Sequence, residues 1–219
     1  MQENSTQLFE FDKNFNKIII GTDEAGRGPG AGGVFAAAVY FNEITDGLIK
    51  DLAILNDSKK LTPKKRDSIY DIIKNNTINK IVCVEVEEIE KLNILNASLK
   101  AMNLACSAVN QFVDKETLTL VDGNKLIKGY IYPQQYIIKG DSKSASIAGA
   151  SILAKVTRDR YMEKLDEEFP IYNWRKNAGY LTAEHLSAID KYGLTPYHRP
   201  SFLKKHFEKT IKLLENVNC

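Results

Sequence analysis

Residues 17–40 read KIIIGTDEAGRGPGAGGVFAAAVY, and the rest of the chain can be organised around this stretch. It begins with the β-branched run of residues 18–20 and ends with an apolar run from Val34, so we predict two strands. Between them lie the adjacent acids Asp23 and Glu24, followed by a glycine-rich turn. A strand-end carboxylate beside exposed backbone N–H groups can hold a metal ion and meet a phosphate. The same residues could equally shape an ordinary hairpin loop, and this stretch alone leaves both interpretations open.

The composition is typical of a globular protein, with 219 residues of which 43% are hydrophobic and 26% are charged. The balance of 30 basic against 28 acidic residues excludes a strongly basic architectural protein but allows a local basic groove. The three cysteines form no CxxC pair and carry no metal or redox signal. We see no signal peptide and no apolar run long enough to cross a membrane. We therefore expect a soluble, cytoplasmic monomer with no evident protein partner.

The hydrophobic periodicity after this stretch alternates between strand and helix, which favours an α/β fold. Further strands are predicted at residues 80–87, 117–121 and 136–138. Helices are predicted at residues 63–75, 89–112 (broken near 93–96), 144–168, 182–192 and 201–217. We expect one domain over residues 1–219, with a frayed N-terminal arm at residues 1–16, which includes a short edge strand at 8–11, and a helical C-terminal extension from about residue 170.

Three of the predicted strands are followed by acids, namely Asp23 with Glu24, then Asp122, then Asp141. In open α/β sheets ligands bind beyond the carboxyl ends of the strands, so parallel neighbouring strands would bring these acids together. Clustered carboxylates repel one another, and an all-oxygen set favours Mg²⁺ or Mn²⁺. Two such ions are the usual apparatus for phosphodiester cleavage. Each acid alone is typical of a turn, whereas the three strand ends together favour a metal site.

Six motifs, in chain order, make the sequence resemble the ribonuclease HII family. They are DEAGRGPGAG from residue 23, DSKKL from 57, VDGN from 121, KGDSKSASIAGASILAKVTRDR from 139, GYLT from 179 followed by His185, and HRPSF from 198. The resemblance implies a ribonuclease H-like fold, a five-stranded mixed sheet flanked by helices with a helical C-terminal extension. It implies a metal-dependent endonuclease that cleaves the RNA strand of RNA–DNA hybrids and incises 5′ of ribonucleotides embedded in duplex DNA, leaving 3′-OH and 5′-phosphate ends.

The resemblance also assigns roles to individual residues. It implies that a two-metal site with Mg²⁺ or Mn²⁺ is held by the catalytic acids Asp23, Glu24, Asp122 and Asp141. It implies that the ribose 2′-OH is contacted by Gly26, Arg27 and Gly28, and that the RNA–DNA junction is sensed by Tyr180. Further substrate-binding candidates are the motif residues Lys59 and Lys60, and Lys143, which could neutralise a substrate phosphate. The implied biological role is ribonucleotide excision repair.

This sequence departs from the family pattern at four positions near the glycine turn and Tyr180. The family usually has leucine at Gly30, proline at Gly33, lysine at Ala178 and glycine at Leu181. These changes spare the acids but bear on the placement of Tyr180. Two alternatives stay open: a ribonuclease HIII-like enzyme without its N-terminal domain, and a catalytically silent module that binds RNA–DNA hybrids. Intact acids argue against the silent module, since a binder gains affinity by losing negative charge near phosphate.

Other polar residues receive structural interpretations from the sequence. Arg158 and Arg160 are expected to form surface ion pairs with Asp159, which contribute little to stability. His185 is expected to pack or to hydrogen-bond locally. For the pair at residues 198–199, capping of the last helix and contact with the backbone are equally favoured.

Overall fold

The computed structural model describes residues 2–55, 62–113 and 115–217, with side chains for residues 5–55, 62–113 and 115–209. Its strands are β1 (Ile18–Ala25), β2 (Val34–Tyr40), β3 (Ile78–Val84), β4 (Thr117–Asp122) and β5 (Gln134–Ile137). Its helices are α1 (Gln2–Lys13), α2 (Asp46–Asp51), α3 (Pro63–Asn75), α4 (Val86–Leu92), α5 (Ile94–Asn110), α6 (Ala145–Glu168), α7 (Trp174–Asn177), α8 (Ala183–Tyr192) and α9 (Pro200–Val217).

The five strands form one mixed sheet in the order β3-β2-β1-β4-β5. The hairpin partners β1 and β2 are antiparallel, as are β2 and β3, whereas β1, β4 and β5 run parallel. This arrangement confirms the predicted five-stranded mixed sheet flanked by helices. It also makes β1 the central strand and places the carboxyl ends of β1, β4 and β5 at the same edge.

Helices cover both faces of the sheet. On one face α6 lies directly on β1, and a Cβ atom added at Gly21 would lie only 2.1 Å from the backbone carbon of Ser146. Small residues at the start of α6, such as Ala145 and Ala148, are fully buried there and allow this close approach. On the other face the core of α5, including Met102 and Cys106, packs against β1 and β2. Both residues are therefore part of the core.

Most predicted elements are present, with shifted ends. Strand β3 covers residues 78–84 instead of 80–87, because Val86 already begins α4. The helical region predicted at 89–112 consists of α4 and α5, separated at Asn93, which has a φ of 67° and whose side chain accepts a hydrogen bond from the N–H of Asn96. The short helix α2 was not predicted. None of the helices in the described ranges combines the length and the apolar character that a membrane span requires.

The N-terminal segment differs from the prediction of a frayed arm with an edge strand at residues 8–11. It forms helix α1, and its buried residues Ser5, Leu8, Phe9 and Asp12 recur at helical spacing. Phe9 packs edge-on against Phe41 with ring centroids 5.0 Å apart. The prediction failed because the polar residues of α1 concealed a narrow apolar stripe that only tertiary packing reveals.

Asp12 ties α1 to the first turn of α6. Its side chain is buried, and its Oδ2 accepts a hydrogen bond of 2.8 Å from the backbone N–H of Ser146. Burial raises the pKa of this carboxyl group above its ordinary value. The N-terminal helix is therefore joined to the same helix that covers the central strand.

We predict that Asp12→Ala lowers the free energy of unfolding by about 1–3 kcal/mol, because a buried N–H loses its acceptor. The matched variant Asp12→Asn keeps an acceptor and should lose clearly less. Urea unfolding of both variants and the unmodified protein measures the difference. Equal stability of all three proteins would show that α1 does not support α6 through this contact.

Candidate active site

The predicted acids lie at one edge of the sheet. Asp23 stands near the end of β1, Asp122 is the last residue of β4, and Asp141 lies in a short 3-10 turn (Gly140–Ser142) that follows β5. The parallel pairing aligns Thr22 with Val121, so Asp23 and Asp122 occupy the next aligned positions on the same face. This edge is the one at which ligands bind in open α/β sheets.

Hydrogen bonds and electrostatics link these acids in series. The Oδ1 atom of Asp122 accepts a hydrogen bond of 2.6 Å from the backbone N–H of Gly140, which joins β4 to the turn that carries Asp141. Asp23 is electrostatically coupled to Glu24 and to Asp122. Both Asp23 and Asp141 are only 5% exposed. The strand ends therefore concentrate negative charge in a largely buried position.

The ionised form of Asp23 is the one most disfavoured by this concentration of charge. Burial raises its pKa well above the ordinary value, and the charges of Glu24 and Asp122 raise it further. The side chain of Ser151 and the backbone N–H of Glu24 act in the opposite direction, since each donates a hydrogen bond to the carboxylate. A positive charge supplied from outside would relieve the remaining cost.

The acids provide only oxygen donors, which suits hard cations such as Mg²⁺ and Mn²⁺. In the part of the chain that the structure describes, no three His, Cys, Asp or Glu side chains form a ready-made group around a metal position. The backbone topology thus brings the acids to one edge of the sheet, where the charges of Glu24 and Asp122 act on Asp23. The chemistry of the donors and the raised pKa of Asp23 fit a cation at this edge.

A cavity of about 440 Å³ opens at the end of β1. Predicted acids and predicted substrate-binding residues line it together: Asp23, Glu24, Gly26, Arg27, Gly28 and Tyr180. Four further polar residues also line it, namely Arg66, Ser151, Lys155 and Arg158. Asp122, Asp141 and Lys143 are not among its lining residues. Lys143 is exposed beside Asp141, whereas Lys59 and Lys60 lie outside the described residues.

The sequence interpretation missed the polar lining that α6 contributes. Ser151, Lys155 and Arg158 follow one another at spacings of four and three residues, so they share one face of the helix. This face was detectable, since these polar side chains interrupt a run of small and apolar residues. The sequence interpretation instead assigned Arg158 to a surface ion pair and gave no role to Ser151 or Lys155.

Gly26 needs to be glycine for two independent reasons. Its φ is +100°, a conformation that side chains disfavour, and an added Cβ would lie 2.2 Å from Nε of Arg158. The neighbouring Arg27 is exposed and forms an ion pair of 3.2 Å with Glu24. The glycine turn therefore lies directly against both the acids and a buried arginine.

Tyr180 projects beside this turn. An added Cβ at Gly28 would lie 3.2 Å from Cε1 of Tyr180, so the aromatic ring covers the glycine. The residue is 53% exposed, so Tyr180 does not belong to the core. The ring is therefore accessible from the cavity and in contact with the glycine turn.

Two of the departures from the family pattern compensate for each other in space. An added Cβ at Gly30 would lie 2.5 Å from Cδ2 of Leu181, so the leucine side chain fills the volume next to the glycine. The backbones of the two segments are joined by a 2.9 Å hydrogen bond from the N–H of Gly30 to the carbonyl of Gly179. A bulky residue at 181 is accommodated because residue 30 has no side chain, and Tyr180 keeps its place over Gly28.

Arg158 is not part of a surface ion pair, contrary to the prediction. It is 1% exposed and donates hydrogen bonds to the carbonyls of Gly33, Ala31 and Ala178. The prediction failed because local sequence showed an Arg-Asp-Arg cluster but not the loop that packs over it. Arg160 does form the expected surface contact, an ion pair of 3.2 Å, but with Asp67 instead of Asp159.

Arg199 is also fully buried, and its side chain contacts backbone carbonyls of the protein itself. Its guanidinium group donates to the carbonyls of Pro29 and Gly32, and its backbone N–H donates to the carbonyl of Gly30. Together with Arg158, it satisfies the carbonyls of all five residues from 29 to 33. Residues 29–33, which follow the glycine turn, are thus held by two buried arginines.

Comparison with solved structures first defines the class of protein. The ribonuclease H2 from Pyrococcus horikoshii OT3 aligns with a TM-score of 0.66 and 26% identity over 87% of this chain and 97% of that chain. A protein called Bst-RNase HIII, solved in complex with Mn²⁺, aligns with a TM-score of 0.63 and 19% identity over 87% of this chain and 65% of that chain. The fold is therefore that of a ribonuclease H.

Sequence comparison then gives the family. The family model described as Ribonuclease HII matches residues 20–210. The ribonuclease HII of Fusobacterium nucleatum is 50% identical over 203 residues, which are 92% of each chain, and that of Pelagibacter ubique is 47% identical over 186 residues, which are 85% of this chain and 96% of the relative. The chain belongs to the ribonuclease HII family. It is a ribonuclease H, a hydrolase that acts on RNA–DNA hybrids. This membership decides against both alternatives, the silent binding module and the ribonuclease HIII-like enzyme.

We predict that the compensation between Gly30 and Leu181 appears as coupling in a double-mutant cycle. Gly30→Leu should lower the free energy of unfolding by about 1–3 kcal/mol through overpacking, and Leu181→Gly should lower it through a cavity. The loss in the double variant should be smaller than the sum of the two single losses by about 0.5–3 kcal/mol. Urea unfolding measures all four proteins, and strictly additive losses would disprove the contact.

Proposed function

We propose that this enzyme cleaves the RNA strand of RNA–DNA hybrids endonucleolytically and also incises 5′ of ribonucleotides embedded in duplex DNA, leaving 3′-OH and 5′-phosphate ends. One observation carries the proposal: the cavity at the end of β1 is lined both by Asp23 and Glu24 and by the glycine turn with Tyr180. The acids proposed to catalyse hydrolysis and the residues proposed to recognise ribose would then face the same nucleotide. The proposed role is ribonucleotide excision repair by a cytoplasmic monomer.

Two divalent cations, Mg²⁺ or Mn²⁺, are the proposed cofactors, and the proposed ligands are the four acids Asp23, Glu24, Asp122 and Asp141. When bound, such ions activate a water molecule and stabilise the leaving oxygen of a phosphodiester. The raised pKa of Asp23 between two other carboxylates supports a cation at this position. The Mn²⁺ complex of Bst-RNase HIII, which has the same fold, is consistent with this proposal.

The chain's own residues would fix the acids before substrate arrives. Ser151 and the N–H of Glu24 hold the carboxylate of Asp23, and the N–H of Gly140 holds that of Asp122. The Ser151 donor is a side chain on α6, whereas the other two donors are backbone N–H groups of β1 and of the turn after β5. The fold therefore sets the positions of these carboxylates. Preorganised charges of this kind need little rearrangement during the reaction.

Recognition of ribose would fall to the main chain of the glycine turn. Gly26 and Gly28 let a nucleotide approach the backbone closely, and a 2′-OH can both donate to and accept from backbone groups. Deoxyribose at this position would leave such groups unpaired, at about 1–3 kcal/mol each. Tyr180, in contact with Gly28, would stack on the sugar of the next nucleotide, where a deoxyribose fits and an extra hydroxyl crowds the ring.

Phosphate groups on either side of the cut would meet the basic residues around the cavity. Arg27, Arg66 and Lys155 line it, and Lys143 lies exposed beside Asp141. For Lys59 and Lys60 the proposal rests on the family motif alone. Contacts of this kind position the duplex without reading its sequence.

We predict that Asp23→Asn lowers the cleavage rate by more than about 100-fold, exceeding the effect usual for outer-shell partners of a metal site. The free energy of unfolding of the variant should equal or exceed that of the unmodified protein, because a buried charge beside two others is removed. Incision of a duplex with one ribonucleotide, in Mg²⁺ and then in Mn²⁺, provides the measurement.

The control for this experiment is Asp71→Asn, which changes an exposed acid on α3 by the same chemistry. Its cleavage rate should match that of the unmodified protein. If Asp23→Asn cleaves as fast as this control in either metal, Asp23 is not a metal ligand and the proposed site is wrong.

We predict that Tyr180→Ala loses most activity on a duplex with one embedded ribonucleotide but retains much more activity on a uniform RNA–DNA hybrid. The alanine removes the ring that contacts Gly28, whereas Tyr180→Phe keeps the ring and should retain the substrate preference. Cleavage-site mapping on both substrates distinguishes the variants. Identical rates and cut positions for the alanine variant and the unmodified protein would mean that the junction is sensed elsewhere.

A further inference from the structure

A buried histidine pair lies behind Tyr180. Nδ1 of His185 is 2.9 Å from the carbonyl oxygen of Tyr180, and Nε2 of His185 is 3.1 Å from Nε2 of His198. Nε1 of Trp174 donates a hydrogen bond of 3.0 Å to Nε2 of His185. At the far end, the backbone N–H of Thr195 lies 2.9 Å from Nδ1 of His198. The two rings are 0% and 1% exposed, so water cannot replace these partners.

The donors at both ends determine which nitrogen of each ring carries a proton. The N–H groups of Thr195 and Trp174 can only donate, so Nδ1 of His198 and Nε2 of His185 accept. A neutral His198 then carries its proton on Nε2 and donates it to His185. A neutral His185 carries its proton on Nδ1 and donates it to the carbonyl of Tyr180. The chain of hydrogen bonds therefore has one direction, from Thr195 to Tyr180.

This direction requires both rings to be neutral. A proton added to His185 at Nε2 would face the N–H groups of both Trp174 and His198. Burial lowers the pKa of both histidines. The pKa of His198 is lowered to about 4, by burial and by the neighbouring His185. Tyr172 packs edge-on against His198 with ring centroids 4.7 Å apart, which leaves little freedom for either ring to rotate.

The segment before Tyr180 is held by hydrogen bonds from Arg158 to the carbonyl of Ala178 and from the N–H of Gly30 to the carbonyl of Gly179. Ala178 and Gly179 both have positive φ, and the side chain of Tyr180 is exposed. Its carbonyl accepts hydrogen bonds from His185 and from the N–H of Thr182, and its own N–H donates to the carbonyl of Asn177. The bond from His185 is therefore a side-chain contact that holds the backbone of Tyr180 itself from behind the exposed ring.

We infer that His185 and His198 are positioning residues for Tyr180, which hold its backbone so that the ring stays in contact with Gly28. The inference deepens the proposed function and rests on the proposed role of Tyr180 in junction sensing. Neither histidine lines the cavity, so neither would touch the substrate. Their contribution would be to selectivity between substrates and not to hydrolysis itself.

The first test is direct observation of the tautomers by ¹⁵N NMR of histidine-labelled protein at neutral pH. We expect His185 as the Nδ1–H tautomer and His198 as the Nε2–H tautomer, with His206 as an internal reference on a different helix. Observation of His185 as the Nε2–H tautomer, or of either ring in the charged form, would overturn the inference. This readout does not depend on substrate or metal.

The second test compares two substitutions of His185. In His185→Asn the side-chain amide can still donate to the carbonyl of Tyr180, whereas His185→Leu removes the donor. The readout is the ratio of cleavage rates on a single-ribonucleotide duplex and on a uniform hybrid, because a merely structural defect lowers both rates together. We expect the ratio to fall to the level of Tyr180→Ala in His185→Leu and to be retained in His185→Asn.

The outcomes separate this inference from the proposed function. If Tyr180→Ala changes the ratio and His185→Leu does not, the positioning role of His185 is disproved, whereas the proposed role of Tyr180 is retained. If Tyr180→Ala itself leaves the ratio unchanged, the junction-sensing role fails and the positioning inference fails with it. Should His185→Leu not fold, the tautomers and the His185→Asn ratio still decide the matter, since loss of the ratio in His185→Asn would contradict the proposed donor.

Discussion

The arrangement at this edge of the sheet depends on burying the carboxylate of Asp23 beside two others. Its pKa is raised by burial and by its neighbours, and the two hydrogen bonds it accepts offset only part of that cost. The fold imposes this placement: Asp23 is on the central strand, its aligned neighbour on β4 is Asp122, and close packing of α6 over Gly21 brings Ser151 to the carboxylate. A site built this way is poised to take up positive charge.

A second constraint acts on residues 29–33, which follow the glycine turn in sequence. Residues 29–33 have little side-chain mass with which to pack, yet Arg158 and Arg199 bind all five of their carbonyls. Burial lowers the pKa of Arg199 to about 10, which still leaves the group charged at neutral pH. This segment is thus made rigid by positive groups behind it, so glycines can be used for close approach without leaving the loop disordered.

The sequence predicted the parts of this design that are local or periodic. The acids could be placed because each follows an apolar strand, and the break near Asn93 because asparagine interrupts the helical pattern there. The local hydrogen bond of His185 was predicted, and its contact with the carbonyl of Tyr180 confirms it. The buried arginines, the helix α1 and the pairing of His185 with His198 could not be predicted, because the contacts concerned join residues more than 10 positions apart and charged residues are rarely buried. For the same reason, the sequence did not predict that the side chain of Leu181 fills the space left beside Gly30. The proposed role of Tyr180 rests on the motif match, and the structure adds that its side chain is exposed beside the glycine turn.

The most direct test of the central claim is calorimetric titration of Mn²⁺ into the protein at mildly acidic pH, in two buffers with different enthalpies of ionisation. The difference between the buffers gives the number of protons released on binding. Because the pKa of Asp23 is raised by its neighbours, we predict that Mn²⁺ binding releases protons and that Asp23→Asn binds more weakly and releases fewer. Equal affinity and equal proton release in the two proteins would contradict the claim that the buried carboxylate of Asp23 is the centre of a cation site.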